Sequence, residues 1–401
     1  MRLFRLRSLA LAFFTILILL PGLATARQGH APIQVTPGAT PVATSPSEWT
    51  VENIEVLDLD GSPVTMSPDG TMLAGIGAEQ QLCIWDVASS ESTCEEPSAR
   101  SMNPDSIVWS PDGTAIAYTL DAFIRGEESD LFVFELDAGV STNLTDDGLD
   151  DGLFNSDSDT PMMVDVMPLW SHDSQSLIFA RSDFSLEEPG THLMSISRAG
   201  GEPELVETVS DMAFAIFTRM YLLGDDSLLF TLGPGDLNDP DTGLWLLTPD
   251  GDLRQVLSTP NGSEFPLAIL TDVHEANGTV LVAAYSGLWL SQFDRDIPVA
   301  FILDLGTGEI VPLESEDPAR LIGPTVFSPD GATTFSVAPG GERDGIVAIH
   351  DGEHEVIELG AGDVAASAPV RLYGGIEWRG EGTIFLPNAM VRDPYLVTFA
   401  G

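Results

Sequence analysis

"WSPDGTAIAYTL", residues 109–120, decides how this chain is read. Four turn-forming residues, Ser110, Pro111, Asp112 and Gly113, stand between an aromatic residue and an apolar run. Proline at the second position fixes φ near the type I turn value. Aspartate tolerates the bridge region and bonds nearby amides, and glycine accepts the left-handed conformation that closes a hairpin. The following "TAIAY" supplies the β-branched and aromatic residues of a buried strand. Strand, tight turn, strand is the local reading.

Nearly the same words recur along the chain. Aligned on the turn they are "MSPDG" from Met66, "WSPDG" from Trp109, "WSHDS" from Trp170 and "LGDDS" from Leu223. "HEANG" from His274, "FSPDG" from Phe327 and "WRGEG" from Trp378 complete the set. A second turn follows each after two more β-rich runs, as in "IWDVASS" from Ile84, "FELDAG" from Phe134 and "ILDLGTG" from Ile302. Helical periodicity is absent after the N-terminal segment. A four-stranded antiparallel sheet repeated every ~50 residues is a propeller blade, and blades packed in a ring leave only short protected edges. The expected fold is therefore all-β, a single propeller of seven blades over residues 49–401. The units at 223 and 274 are degenerate, so six blades stay open. The last unit offers three strands, and "TVENIEVLDL" (50–59) has no other partner, so it is expected to supply the outer strand of the last blade and fasten the ring.

The motifs "WSPDG" (Trp109–Gly113), "MSPDG" (Met66–Gly70), "FSPDG" (Phe327–Gly331) and the partial match "WSHDS" (Trp170–Ser174) resemble the TolB-like and WD-repeat-like propeller repeats of exported bacterial proteins. The resemblance runs from Trp49 to Gly401. It implies a fold and leaves the activity open, because the motif marks a turn. TolB differs in having six blades and a separate α/β domain ahead of them.

The N-terminus supports export. Arg2, Arg5 and Arg7 precede the apolar run Leu9–Leu20, Pro21 and Gly22 break it, and "ATA" (24–26) offers small residues for cleavage. Residues 1–26 read as a secretory signal peptide, the run being shorter than the ~20 residues of a membrane span. No cysteine follows it for a lipid anchor, and no later segment is apolar enough to cross a bilayer. Residues 27–48, rich in Pro, Thr and Ala, read as a flexible linker. The expected location is extracellular, periplasmic or cell-surface in a bacterium.

The formal net charge is −46, and all 16 cationic residues are arginine. A field of that sign repels nucleic acid and anionic lipid and favours cations or a basic partner. It also serves solubility alone. Cys83 and Cys94 are the only cysteines. In an exported chain they are expected to form a disulfide across the hairpin "LCIWDVASSESTC".

No catalytic constellation is legible. There is no G-x-S-x-G elbow, and of six histidines only His274 falls on an expected inner strand. His172 fills the proline slot of its turn, and His350 and His354 flank a hairpin turn. The short turns are expected to share one face of the ring, and the long acidic loops the other. Asp150, Asp151, Asp157 and Asp159 belong to the longest of these loops and mark the expected interaction surface. Asn155, Asp157 and Asp159 have the alternate spacing of calcium ligands, but Pro161 stands where a glycine turn is wanted and no terminal glutamate closes the loop. Asp236, Asp239 and Asp241 raise the same thought more weakly. The expected function is a non-enzymatic, cofactor-free propeller that binds a basic protein or peptide. Two alternatives remain: a glycan lyase or hydrolase with acids at the central channel, and a calcium-dependent surface adhesin.

Overall fold

In the computed structural model each Ser-Pro-Asp-Gly word is a small hydrogen-bonded unit. Gly113 N donates to Ser110 O, and Ser110 N to Ala115 O, both at 2.9 Å. The Ser110 hydroxyl donates to Asp112 Oδ1 at 2.6 Å and accepts from Ala115 N at 2.9 Å. Gly113 sits at φ 70°, as do Gly70 at 73° and Gly331 at 70°. Ser174 and Asp226 take the same left-handed position in the degenerate turns, at φ 62° and 65°. The serine was not singled out in the sequence, yet Ser67, Ser110 and Ser328 are buried, and each welds turn to strand.

The structure describes residues 49–96, 102–120, 129–146, 163–184, 189–211, 220–233, 239–259, 268–284, 299–313, 325–338, 344–350, 353–360, 376–379, 382–387 and 394–400. Strand β1 (Thr50–Val56) leads in. The first sheet is β2 (Ser62–Met66), β3 (Met72–Ile76), β4 (Leu82–Asp86) and β5 (Ser92–Cys94). The second is β6 (Val108–Trp109), β7 (Ala115–Thr119), β8 (Leu131–Glu135) and β9 (Val140–Asn143). In the third are β10 (Met163–Trp170), β11 (Ser176–Asp183), β12 (Gly190–Ser197) and β13 (Glu204–Ser210). The fourth holds β14 (Tyr221–Leu222), β15 (Leu228–Leu232), β16 (Gly243–Leu247) and β17 (Leu253–Ser258). In the fifth lie β18 (Ala268–His274), β19 (Thr279–Ala284), β20 (Val299–Asp304) and β21 (Ile310–Pro312). The sixth is β22 (Thr325–Phe327), β23 (Thr333–Ala338), β24 (Asp344–His350) and β25 (Glu353–Gly360). The seventh is ordered β1, β28 (Tyr395–Ala400), β27 (Thr383–Leu386), β26 (Glu377–Arg379). Every pairing between neighbouring strands of these sheets is antiparallel. Among the described residues the only helical segments are two single 3₁₀ turns, Pro104–Ser106 and Glu275–Asn277.

Each sheet buries an apolar face against the next. Val64, Ala74 and Ile84 of the first meet Trp109, Ile116 and Phe134 of the second. Ala117 and Leu131 meet Leu177 and Phe179 of the third. Val164 and Ala180 meet Leu228 and Phe230 of the fourth, and Leu229 and Leu244 meet Leu270 and Phe301 of the fifth. Phe335 of the sixth packs on Ile384 and Phe399 of the seventh, and Phe385 returns to Met66 and Trp85 of the first. Between the fifth and sixth sheets the His274 ring lies 5.7 Å from that of Phe327. The fold is a β-propeller.

The N-terminal strand lies where the sequence places it. β1 pairs antiparallel with β28, from Thr50↔Ala400 to Val56↔Tyr395, with a bulge between Val51 and Asn53. Trp49, just before it, crosses to the sixth sheet, where its Nε1 donates to Thr333 Oγ1 at 3.0 Å. Cys83 and Cys94 are directly opposite on β4 and β5 and joined by a disulfide. No helix among the described residues is long and apolar enough to cross a membrane.

Candidate functional site

In the first six sheets the first-to-second and third-to-fourth connections leave at one end, the turn end, as does the first-to-second connection of the seventh. The second-to-third connections and those between sheets leave at the other, the loop end. Asp150, Asp151, Asn155, Asp157 and Asp159, between β9 and β10 in sequence, and Asp236, between β15 and β16, lie outside the described residues. Asp239 and Asp241 are described. Asp239 Oδ1 accepts from the Asp241 amide at 2.9 Å, so this pair folds the connection onto its own backbone.

At the loop end of the third sheet one acid lies deep. Asp165, on β10, has a side chain only 2% exposed, and its oxygens accept from Arg181 Nε and Nη2, both at 2.7 Å. Arg181, on β11, is directly opposite in register and lies 5.4 Å over the Phe179 ring. The Asp165 amide donates to Ser129 O, just before β8, at 2.8 Å. On the next two strands, His192 Nδ1 of β12 lies 3.0 Å from Thr208 Oγ1 of β13. A bidentate arginine cancels the carboxylate it faces, so Asp165 is tied to structure. An acid inside the apolar word "MVDVMPLW" was the signal for it.

The edges of some first strands are also tied by acids. Glu377, on β26, accepts from Thr65 Oγ1 and Met66 N of the first sheet, both at 2.8 Å. Asp272, on β18, accepts from Phe327 N of the sixth sheet at 2.7 Å. An edge N–H without a strand partner needs an acceptor, and a carboxylate from the preceding sheet supplies it. Tyr221 makes a related tie, its hydroxyl donating to Thr271 O of the fifth sheet at 2.7 Å. Glu377 stands directly before the turn motif of its unit, a position the motif alignment passed over.

The turn end, expected to hold only short turns, carries acid of its own. The motif aspartates and those of the second turns display carboxylates there. Hydrogen bonds from Ser67 and Thr71 hold the Asp69 carboxyl below its ordinary range. Ser89 does the same for Asp86, Ser171 and Gln175 for Asp173, and Ser227 for Asp225. Thr307 and Gly306 act likewise on Asp304. For Asp112 burial pushes the pKa up, but hydrogen bonds from Ser110 and Thr114 and the charge of Arg198 bring it down to about 2. Arg198 also bonds Glu135, joining the second and third sheets. The physical reason is the turn itself, which needs an ionised acceptor for its amides and so presents acid at each repeat. The turn end is therefore acidic among the described residues.

Asp112 gives a pH prediction with a definite sign. Its folded pKa lies below the ~3.9 of an unfolded aspartate. The stability it contributes is present above that value and is lost as pH falls toward about 2. The side chain is 40% exposed, so the effect is small. Asp112→Asn should flatten the fall of the urea midpoint between about pH 4 and pH 2. A midpoint with the same acid slope in both proteins would assign the fall to other carboxylates.

No metal centre forms among the described residues, where no three His, Cys, Asp or Glu side chains group together. His274 sits at the turn end of β18, its Nε2 3.2 Å from Pro329 O. His172 Nε2 lies 2.9 Å from Leu223 O of the next sheet, again joining sheets. His350 and His354 are on β24 and β25, and Asp351 and Gly352 between them lie outside the described residues.

Comparison with known proteins agrees on the propeller. Residues 76–207, a third of the chain, match the family described as dipeptidyl peptidase IV (DPP IV) N-terminal region. Solved structures of similar fold include an oligogalacturonate lyase in complex with manganese, 14% identical, with a TM-score of 0.56 over 85% of this chain and 90% of that one. An oligogalacturonate lyase from Vibrio parahaemolyticus is 12% identical, with a TM-score of 0.55 over 87% of this chain and 97% of that one. TolB from Acinetobacter baumannii is 17% identical, with a TM-score of 0.43 over 73% of this chain and 61% of that one. At these identities the likeness is one of fold. No curated protein matches the chain in sequence.

Proposed function

We propose that this chain is an exported seven-bladed ring that binds a basic protein or peptide through its loop end. Seven four-stranded sheets, with β1 completing the last, support the ring. The disulfide and the signal-like N-terminus support export. The observation that carries a binding role over catalysis is the employment of the inner acids. Glu377, Asp272 and Asp165 are each engaged by neighbouring strands, whereas a general acid–base pair needs carboxylates facing a substrate. A charge of −46 then steers a basic partner. Because the turn end also carries acid, it is the length in sequence of the long connections that singles out the loop end.

The test is Asp150, Asp151, Asp157 and Asp159 all replaced by Asn. A partner is first captured from the exterior fraction of the source cells and identified, and its binding kinetics are then measured at low and high salt. The expected result is an association rate slower by roughly two- to tenfold, with a shallower salt dependence and an unchanged thermal midpoint. Unchanged kinetics would move the site away from this loop. A rise in the wild-type midpoint with added calcium, absent in the variant, would point to the adhesin reading.

A second reading, a glycan lyase, draws on the two oligogalacturonate lyases, which match this fold over nearly their whole length. Incubation with oligogalacturonate and manganese, followed by ultraviolet absorption of the unsaturated product, separates the readings. Turnover would sink the binding-module proposal.

A further inference from the structure

β5 is held differently from the other outer strands. Its three residues, Ser92, Thr93 and Cys94, are all exposed, whereas Leu82–Trp85 of β4 beside it are buried. Among outer strands with described side chains, it alone buries nothing even in part. Its register with β4 is Cys83↔Cys94, Ile84↔Thr93, Trp85↔Ser92. Flanking it, Asp86 N donates to Glu91 O and Glu95 N to Leu82 O, both at 2.9 Å. The Tyr118 hydroxyl donates to Glu95 Oε2 at 3.2 Å and also reaches Ser141 Oγ at 3.0 Å. The remaining tie is the disulfide.

The two ends of that disulfide differ. Cys83 is 0% exposed and packs with Leu57, Met66, Leu73, Trp85, Phe385 and Leu396, between the first and seventh sheets. A side chain added at Gly77 would collide with Cys83 Sγ, so the chain closes over that sulfur. Cys94 is exposed on the edge. Of the two cysteines, Cys94 is therefore the one a thiolate can approach from solvent.

We infer that the Cys83–Cys94 disulfide is a redox-operated strap, by which a dithiol reductant releases β5 from β4 while the inner strands stay folded. One thiolate of the reductant attacks Cys94 Sγ, the S–S bond breaks, and Cys83 leaves and takes up a proton. The reductant's second thiolate then displaces Cys94 and closes the reductant's own disulfide. The protein gains two electrons and two protons, and the reductant loses them. Cys83 remains in the core as a small apolar thiol, so the packing between first and seventh sheets is kept. β5, whose side chains are all exposed, keeps only its hydrogen bonds, the character of segments that open locally. Its release uncovers the backbone edge of Leu82–Asp86, a strand edge open to pairing.

The test is amide hydrogen exchange of the full mature chain with and without dithiothreitol, beside a Cys94→Ser variant without reductant. We expect exchange across Ser90–Glu95 to rise by about tenfold or more on reduction, equally in the variant, with Leu73, Ile116 and Phe230 still protected. Protection of Ser92–Cys94 unchanged by reduction would show that the hydrogen bonds suffice and overturn the inference. Loss of protection in all sheets together would overturn it as well, making the disulfide a brace of the whole fold.

Discussion

Arg181→Met should destabilise the protein by about 3–5 kcal/mol, the cost of leaving a buried carboxylate without its partner. Asp165 is 2% exposed and receives two parallel 2.7 Å hydrogen bonds from the guanidinium. Methionine fills much of the arginine's volume, so the loss reports charge and hydrogen bonding more than a cavity. The variant's urea midpoint checks it, together with the double variant Asp165→Leu, Arg181→Met. Two apolar side chains of similar size should recover most of the stability, because pairing only compensates the cost of burying both charges. A single variant within about 1 kcal/mol of the wild type would show that water reaches Asp165.

Removing the Trp49 side chain should have an effect of similar size. Its ring meets those of Phe335, Trp378 and Phe399 edge-on, with centroids 5.8, 5.1 and 5.7 Å away. Those rings belong to the sixth and seventh sheets, and Trp49 sits at the start of the strand that completes the seventh. Trp49→Ala should cost about 3 kcal/mol, in the range of large aromatic truncations. Trp49→Phe should cost nearer 1 kcal/mol, roughly the lost hydrogen bond to Thr333. Thermal unfolding of both variants tests the order. Equal losses would place the contribution in the indole N–H, and no loss in either would mean that β1 alone holds the seam.

The two effects illustrate why parts of this protein are legible in its sequence and parts are not. Turn chemistry is local. Serine, proline, aspartate and glycine act on their own backbone within five residues, so repeated words announce repeated hairpins wherever the chain later goes. The disulfide was legible for a related reason, because Cys83 and Cys94 flank one hairpin. β1 was found by elimination, as a strand word without a unit of its own.

Contacts between sheets are another matter. Arg198 meets Asp112 across 86 residues and Thr65 meets Glu377 across 312, and no local pattern records such distances. The acidic character of the turn end was in plain view residue by residue, but its extent is visible only when hairpins from successive sheets are brought to one end. The sequence by itself determined the repeating strand-turn unit, the paired cysteines and the completing N-terminal strand, because each follows from neighbours in the chain or from a missing partner. Tertiary structure alone decided which carboxylates are spent on holding sheets together, because that depends on which edge N–H or guanidinium the packing of one sheet on the next brings within hydrogen-bonding distance.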